Sequence, residues 1–100
     1  MQIEVNIFRD RMELAADGQQ MTVRPTAPYS TRRLLVGTFK PAQDCLAAGL
    51  QQIGAFGFLK RKPTLILIPR ELNEGGMSEV EQRCLTELGM SAGAIKVEVL

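Results

Sequence analysis

The chain has 100 residues, of which 45% are hydrophobic and 23% are charged, with a formal net charge of +1. This length and balance predict a single globular domain over residues 1–100. The small net charge argues against a general affinity for nucleic acid or for an anionic membrane. The sequence contains no histidine, which removes the commonest general base and the commonest metal ligand.

Residues 1–9 alternate polar and apolar side chains instead of showing a basic region followed by an apolar block. They therefore lack the pattern of a signal peptide. The longest apolar run of the chain is far shorter than a membrane span. We expect Cys45 and Cys84 to be buried in helices and not joined in a disulfide. These observations predict a cytoplasmic protein with no membrane span.

The first quarter of the chain has the pattern of an antiparallel β-meander. Apolar residues alternate with polar ones in three short runs, and Asp17-Gly18 is a strong hairpin signal. Pro25 ends the third strand. The segment 26–33 is predicted to be a surface loop, and residues 34–36 a brief extended piece. The apolar residues of the three strands are Ile3, Val5 and Ile7, then Met12 and Leu14, then Met21 and Val23.

The next segment has the pattern of a helix. Pro41 suits its first turn, and Leu46, Leu50 and Ile53 recur on one face as an apolar stripe. Glycines are expected to end the helix, with aromatic rings packed over that end. These residues are Gly54, Gly57, Phe56 and Phe58.

The fold is centred on a short apolar run, Thr64 to Ile68, with a proline at each end. Its length and uniform composition predict a strand buried on both faces in the middle of a sheet, with helices above and below. We therefore expect Leu65, Ile66 and Leu67 to form the core. The helical residues expected to pack on either face are Leu46, Leu50, Leu85 and Leu88.

A second helix is predicted to begin at Ser78, because Ser78 followed by Glu81 matches a capping box. Gly89 is its expected end. The buried face is predicted to consist of Val80, Cys84, Leu85 and Leu88.

The last residues predict a strand, since Ile95, Val97 and Val99 alternate with Lys96 and Glu98. The element order is then β-β-β-α-β-α-β, and right-handed crossovers place the last two strands parallel to their predecessors. The expected fold is α/β: a five-stranded mixed sheet in the order 3-2-1-4-5, with the helices packed on it, of the ribonuclease-H-like kind.

Several pieces in the second part of the chain match a family pattern in the right order. They are Leu35-Val36-Gly37-Thr38-Phe39, Leu65 to Pro69, Met77 to Cys84, and Ala92 to Val97. From residue 34 onward the chain resembles the first subdomain of bacterial actin homologues of the rod-shape-determining MreB family. The spacing is kept except in the loop before Met77, which is longer here. The meander matches more loosely, with Asp17-Gly18 at the family's hairpin. The resemblance implies an actin-like fold and contact with a cell-shape filament or its partners.

The departures from the family pattern concern its nucleotide chemistry. Where the family has the phosphate loop D-L-G-T, this chain has Asn6-Ile7-Phe8-Arg9, so that Phe8 stands in place of the glycine. No counterpart is expected for the family's second domain, with its second phosphate loop and adenosine pocket, or for the E-E-P segment that holds its catalytic glutamate. The resemblance therefore implies a module without ATPase chemistry, and we expect no catalytic residue, cofactor or metal.

Two classes of function remain open on the sequence. The first is a non-enzymatic protein-interaction module. Its expected contact surface is the edge strand at Ile95, Val97 and Val99 together with the helix 78–88. This surface would pair with a second copy or with a partner protein by strand addition. No nucleic-acid partner is expected, although Arg32-Arg33 and Lys60-Arg61-Lys62 are basic.

The second class is a small ligand- or anion-binding domain, or an enzyme, that uses the loop 70–77 after the central strand. Open α/β sheets bind ligands at such places, and Gly75 and Gly76 precede the helix N-terminus at Ser78. Because Glu71, Glu74 and other acidic residues lie in or next to this loop, and because the chain lacks histidine, the first class is favoured.

Overall fold

The computed structural model describes residues 1–56, 61–72 and 74–100. These residues form a five-stranded mixed sheet with two helices. The strands β1, β2, β3, β4 and β5 are Gln2–Ile7, Met12–Ala16, Gln19–Val23, Thr64–Pro69 and Lys96–Val99, and the helices α1 and α2 are Phe39–Gln52 and Glu79–Ser91. Strands β1 to β3 pair antiparallel, and β4 pairs parallel with β1 and β5. The order is β3-β2-β1-β4-β5, which confirms the predicted topology.

Both helices lie on the same face of the sheet. A β-carbon on Gly49 of α1 would touch Val23 and Leu14, and one on Gly89 of α2 would touch Val97. The strand pairings place these three strand residues on one face, which also carries the buried side chains of β1 and β4. These are Ile3, Val5, Ile7, Leu65 and Leu67.

The opposite face of the sheet carries no helix among the described residues, so the predicted cover of β4 above and below is wrong. Ile66 and Ile68 lie on this open face and are only half-buried, whereas Leu65 and Leu67 are fully buried. The cause is topological. Both crossovers, from β3 to β4 and from β4 to β5, step in the same direction along the sheet. Right-handed connections then put both helices on the same side.

Each helix ends at a glycine in the left-handed conformation. Gly54 has φ +78°, and Ala55 N–H donates to Leu50 O at 2.9 Å in a Schellman arrangement. Gly93 has φ +107° and ends α2 in the same way. The predicted end at Gly89 is therefore wrong, because Gly89 is a buried helix residue facing β5.

The end of α1 was also predicted to carry a second glycine and two aromatic rings. Phe56 lies against Gly93, just beyond α2. The predictions for Gly57, Phe58 and Lys60 concern residues that lie outside the described part of the chain.

The segment between β3 and α1 is tied to the sheet by Tyr29, which was predicted to lie in a surface loop and is fully buried. Its hydroxyl lies within hydrogen-bond distance of the carbonyl oxygens of Phe8 and Arg11, the latter at 2.7 Å. Its own carbonyl oxygen accepts from Gly37 N–H at 2.8 Å. Residues 34–36 were predicted to be extended, but residues 35 and 36 form a bend, and Leu35 is buried.

No helix in the part of the chain that the structure describes is long and apolar enough to cross a membrane.

Candidate functional site

The edge of the sheet at β5 brings together the three apolar residues predicted to form an interaction edge. In the described structure β5 has one neighbouring strand, β4, with Val97 opposite Leu65 and Val99 opposite Leu67. Val97 and Val99 are half-buried on the helix-covered face. Ile95 precedes the strand and is 63% exposed.

The backbone of β5 presents hydrogen-bonding groups to the outside of the sheet. Leu100 N–H donates to Leu67 O at 3.0 Å, and Leu67 is opposite Val99. In a parallel pair, a residue of one strand bonds to the two residues that flank its opposite residue on the other strand. The opposite residue itself directs its N–H and C=O away from the first strand. Val99 and, two residues earlier, Val97 therefore point their peptide groups outward, where the described structure provides no partner strand.

The side chains on the open face of β5 carry opposite charges. Lys96 Nζ lies 3.7 Å from Glu98 Oε1, and both side chains are largely exposed. On the helix side, Met90 is 48% exposed next to the buried Gly89. Met90 lies about 100° around the helix from Gly89, on the flank opposite the buried Leu88. The rim of β5 thus combines outward peptide groups, two charges and exposed apolar side chains. We call residues 95–99 together with Met90 the β5 rim.

The alternative site, the loop 70–77, leads into a helix N-terminus that already holds a carboxylate. Ser78 caps α2: its Oγ accepts from Glu81 N–H at 3.2 Å, and Ser78 N–H donates to Glu81 Oε1 at 3.4 Å. This confirms the predicted capping box. Gly75 and Gly76 both have positive φ and are exposed, with Glu79 in the adjacent first turn of the helix. The negative charge of Glu81 and Glu79 opposes the binding of a further anion there.

The turn after β1, where the sequence resemblance implied the position of a phosphate loop, is closed by acceptors of the protein itself. Phe8 N–H donates to Arg11 O at 2.9 Å, and Arg9 N–H donates to the Glu71 carboxylate at 2.7 Å. Asn6 Oδ1 accepts from Arg70 Nε at 2.7 Å. A phosphate-binding loop presents free backbone N–H groups to its ligand. Here two of those groups are occupied, one of them by a carboxylate that would repel phosphate.

An apolar groove of about 200 Å³, which the residue pattern did not predict, runs between α2 and the segment before α1. Val80, which was predicted to be buried, is 76% exposed at the margin of this groove, and Cys84 is half-buried. Burial and the nearby Glu87 and Glu81 raise the pKa of the Cys84 thiol, which keeps it protonated and weakly nucleophilic. In the sequence, the signal for this groove is the run of apolar residues 34–36 in an otherwise polar loop.

The described residues contain no group of three or more His, Cys, Asp or Glu side chains that could hold a metal ion. No protein-family model matches the chain, and no curated protein matches it.

Proposed function

We propose that this domain is a non-enzymatic, cytoplasmic protein-interaction module that binds its partner through the β5 rim. The observation that carries this proposal is the outward direction of the Val97 and Val99 peptide groups at a strand with one neighbour in the described structure. An edge of this kind pairs readily with a further strand. The exposed Ile95 and Met90 add apolar area that a partner would cover.

The proposed partner class follows from the resemblance of residues 34–100 to the first subdomain of MreB-type actin homologues. We propose that the domain touches a cell-shape filament built from such a homologue, or a protein that binds this filament. The occupied N–H groups of Phe8 and Arg9 support a role without nucleotide chemistry. The strand order of the sheet is compatible with this resemblance.

The test is co-sedimentation with filaments of the actin homologue from the same cell. The informative variant is Val97→Pro, which removes an outward N–H and leaves the ladder to β4 intact, because Lys96 and Glu98 make the bonds to β4. Val97→Ala is the matched control, since it removes the same side chain and keeps the N–H.

We expect wild type and Val97→Ala to co-sediment and Val97→Pro to remain in the supernatant. Circular dichroism should show that all three proteins are folded. Equal co-sedimentation of a folded Val97→Pro variant, or no co-sedimentation of the wild type, would contradict the proposal.

A further inference from the structure

We propose that the partner strand at the β5 rim is β5 of a second copy of this chain, paired antiparallel about a two-fold axis that passes beside Val97. The inference rests on the proposed function in using the same edge: a second copy occupies the β5 rim when no filament partner is bound, in a defined register, and the two occupants exclude each other. Two observations support it: the outward direction of the Val97 and Val99 peptide groups, and the order of the charged residues Lys96 and Glu98 along the strand.

The backbone restricts the possible registers. Residues that exchange hydrogen bonds across an antiparallel pair must both direct their peptide groups outward. In β5 these residues are Val97 and Val99. The symmetric registers therefore place Val97 opposite Val97, Val97 opposite Val99, or Val99 opposite Val99 of the second copy.

The charges select one of these registers. With Val97 opposite Val97, Lys96 of each copy faces Glu98 of the other copy. Lys96 and Glu98 then form a non-hydrogen-bonded pair, the type in which opposite side chains lie closest. With Val97 opposite Val99, the two Glu98 carboxylates face each other on the two-fold axis, which is repulsive. With Val99 opposite Val99, Glu98 faces an apolar Leu100 and gains no partner.

The apolar side of the strand is also self-complementary in the selected register. Ile95, which is 63% exposed, then lies next to Val99 of the second copy; its own N–H donates to Pro63 O at 2.8 Å, so the hydrogen bonds between the copies are those of the Val97 pair. Val97 packs beside its own symmetry mate. Three of the five residues from 95 to 99 are thus β-branched and apolar, and all three meet apolar residues.

The helices leave room for this pairing. Helix α2 packs on both β4 and β5, so it covers two strands of its own sheet. A helix is about 10 Å across and neighbouring strands are about 4.8 Å apart, which gives one helix for every two strands. The α2 helices of the two copies would lie side by side over a continuous sheet, with the exposed Met90 on the flank between them.

A charge exchange tests the register directly. In Lys96→Glu or Glu98→Lys, two opposite-charge pairs of the dimer become like-charge pairs. In the double variant Lys96→Glu/Glu98→Lys, both pairs are restored with reversed polarity. Glu4→Lys, an exposed charge change on β1, serves as the control for net charge.

Sedimentation equilibrium should show a wild-type dimer, about tenfold weaker association for each single variant, and wild-type association for the double variant and for Glu4→Lys. Restoration by the double variant separates this register from the other two symmetric ones; because Lys96 and Glu98 also pair within one copy, circular dichroism and denaturant melts should show that the single variants are folded as the wild type is. A monomeric wild type at all concentrations, unchanged association of the single variants, or a double variant that remains as weak as the single ones would each overturn the inference.

Cross-linking gives a second readout that does not depend on charge. In a Cys84→Ser background, Val97→Cys should form an intermolecular disulfide under mild oxidation, because Cα atoms of a hydrogen-bonded antiparallel pair are about 5.5 Å apart. Lys96→Cys is the matched control, since residue 96 lies opposite residue 98 and not opposite itself. Equal cross-linking of the two variants would contradict the register.

The two proposals can fail separately. If the wild type is monomeric but still co-sediments with the filament in a manner that Val97→Pro abolishes, the self-pairing is wrong and the proposed function stands. If a dimer forms in the stated register and no filament binding occurs, the self-pairing is correct and the filament partner is wrong.

Discussion

Gly89 of α2 lies so close to Val97 of β5 that a β-carbon on Gly89 would be 2.6 Å from Val97 Cγ2. Real β-carbon contacts are essentially never this short. The glycine thus sets the distance between α2 and the edge of the sheet. Gly49 has a similar role in α1, where the added carbon would be 2.9 Å from Val23 Cγ1. Each helix approaches one of the two edge strands through a residue without a side chain.

The first prediction concerns this contact. Gly89→Ala should destabilise the fold by about 1–3 kcal/mol through overpacking, although alanine is favoured over glycine in a helix by about 1 kcal/mol. Chemical denaturation measures the change in the free energy of unfolding. Val97→Ala should relieve the clash, so that Gly89→Ala costs less, or stabilises, in that background. If the cost is the same in both backgrounds, the contact with Val97 is not its cause.

The second prediction compares neighbouring residues on opposite faces of β4. Leu67→Ala should cost about 2–5 kcal/mol, because Leu67 is fully buried under the helices. Ile66→Ala should cost distinctly less, since Ile66 is half-buried on the open face. Denaturant melts of the two variants against wild type give both values. Equal losses would mean that the open face is covered in solution.

The third prediction is that the protein does not bind ATP at micromolar affinity in the presence of magnesium. The reason is that Phe8 N–H and Arg9 N–H are already bonded, the latter to the carboxylate of Glu71. Isothermal titration calorimetry provides the measurement, with Glu71→Gln as a variant that removes the negative charge. Saturable heat at micromolar ATP with the wild type would refute the prediction.

The fourth prediction concerns alkaline pH. Burial raises the pKa of the Cys45 thiol from 9.0 to about 11 in the folded protein. The folded state therefore holds this proton more tightly than the unfolded state. The resulting stability is complete below pH 9 and is lost as the pH rises towards 11.

Cys45→Ala tests this dependence, because alanine does not titrate. The difference in the free energy of unfolding between wild type and Cys45→Ala should shift against the wild type as the pH rises from 8 to 11, while groups common to both proteins cancel. A difference that stays constant over this interval would show that the thiol does not contribute.

The strand order was predictable from the sequence because β1 shows alternating apolar residues and β4 shows a uniform apolar run, which mark them as different kinds of strand. Right-handed connections then fix how the strands follow one another in the sheet. The start of α2 was predictable because Ser78 and Glu81 carry the cap themselves. These signals are local, so they survive without knowledge of the tertiary structure.

Other features depended on contacts between distant segments. Gly89 looks like a helix end in the sequence, and only its contact with Val97 explains a glycine inside α2. Tyr29 stands in a segment with two prolines and several polar residues, and its burial depends on carbonyl groups at Phe8 and Arg11. The direction of the β5 peptide groups follows from the register with β4, which the residue pattern does not contain.

The parallel pairing of β1 with β4 has a consequence for how the chain reaches its fold during synthesis. Ile3 pairs with Leu65, more than half the chain away, whereas β1, β2 and β3 are joined by short turns. The meander can therefore form early on the ribosome, but one side of β1 stays unpaired until β4 has emerged from the exit tunnel. Closure of this long-range pair is expected to limit the folding rate, and the nascent meander is the stage at which aggregation is most probable.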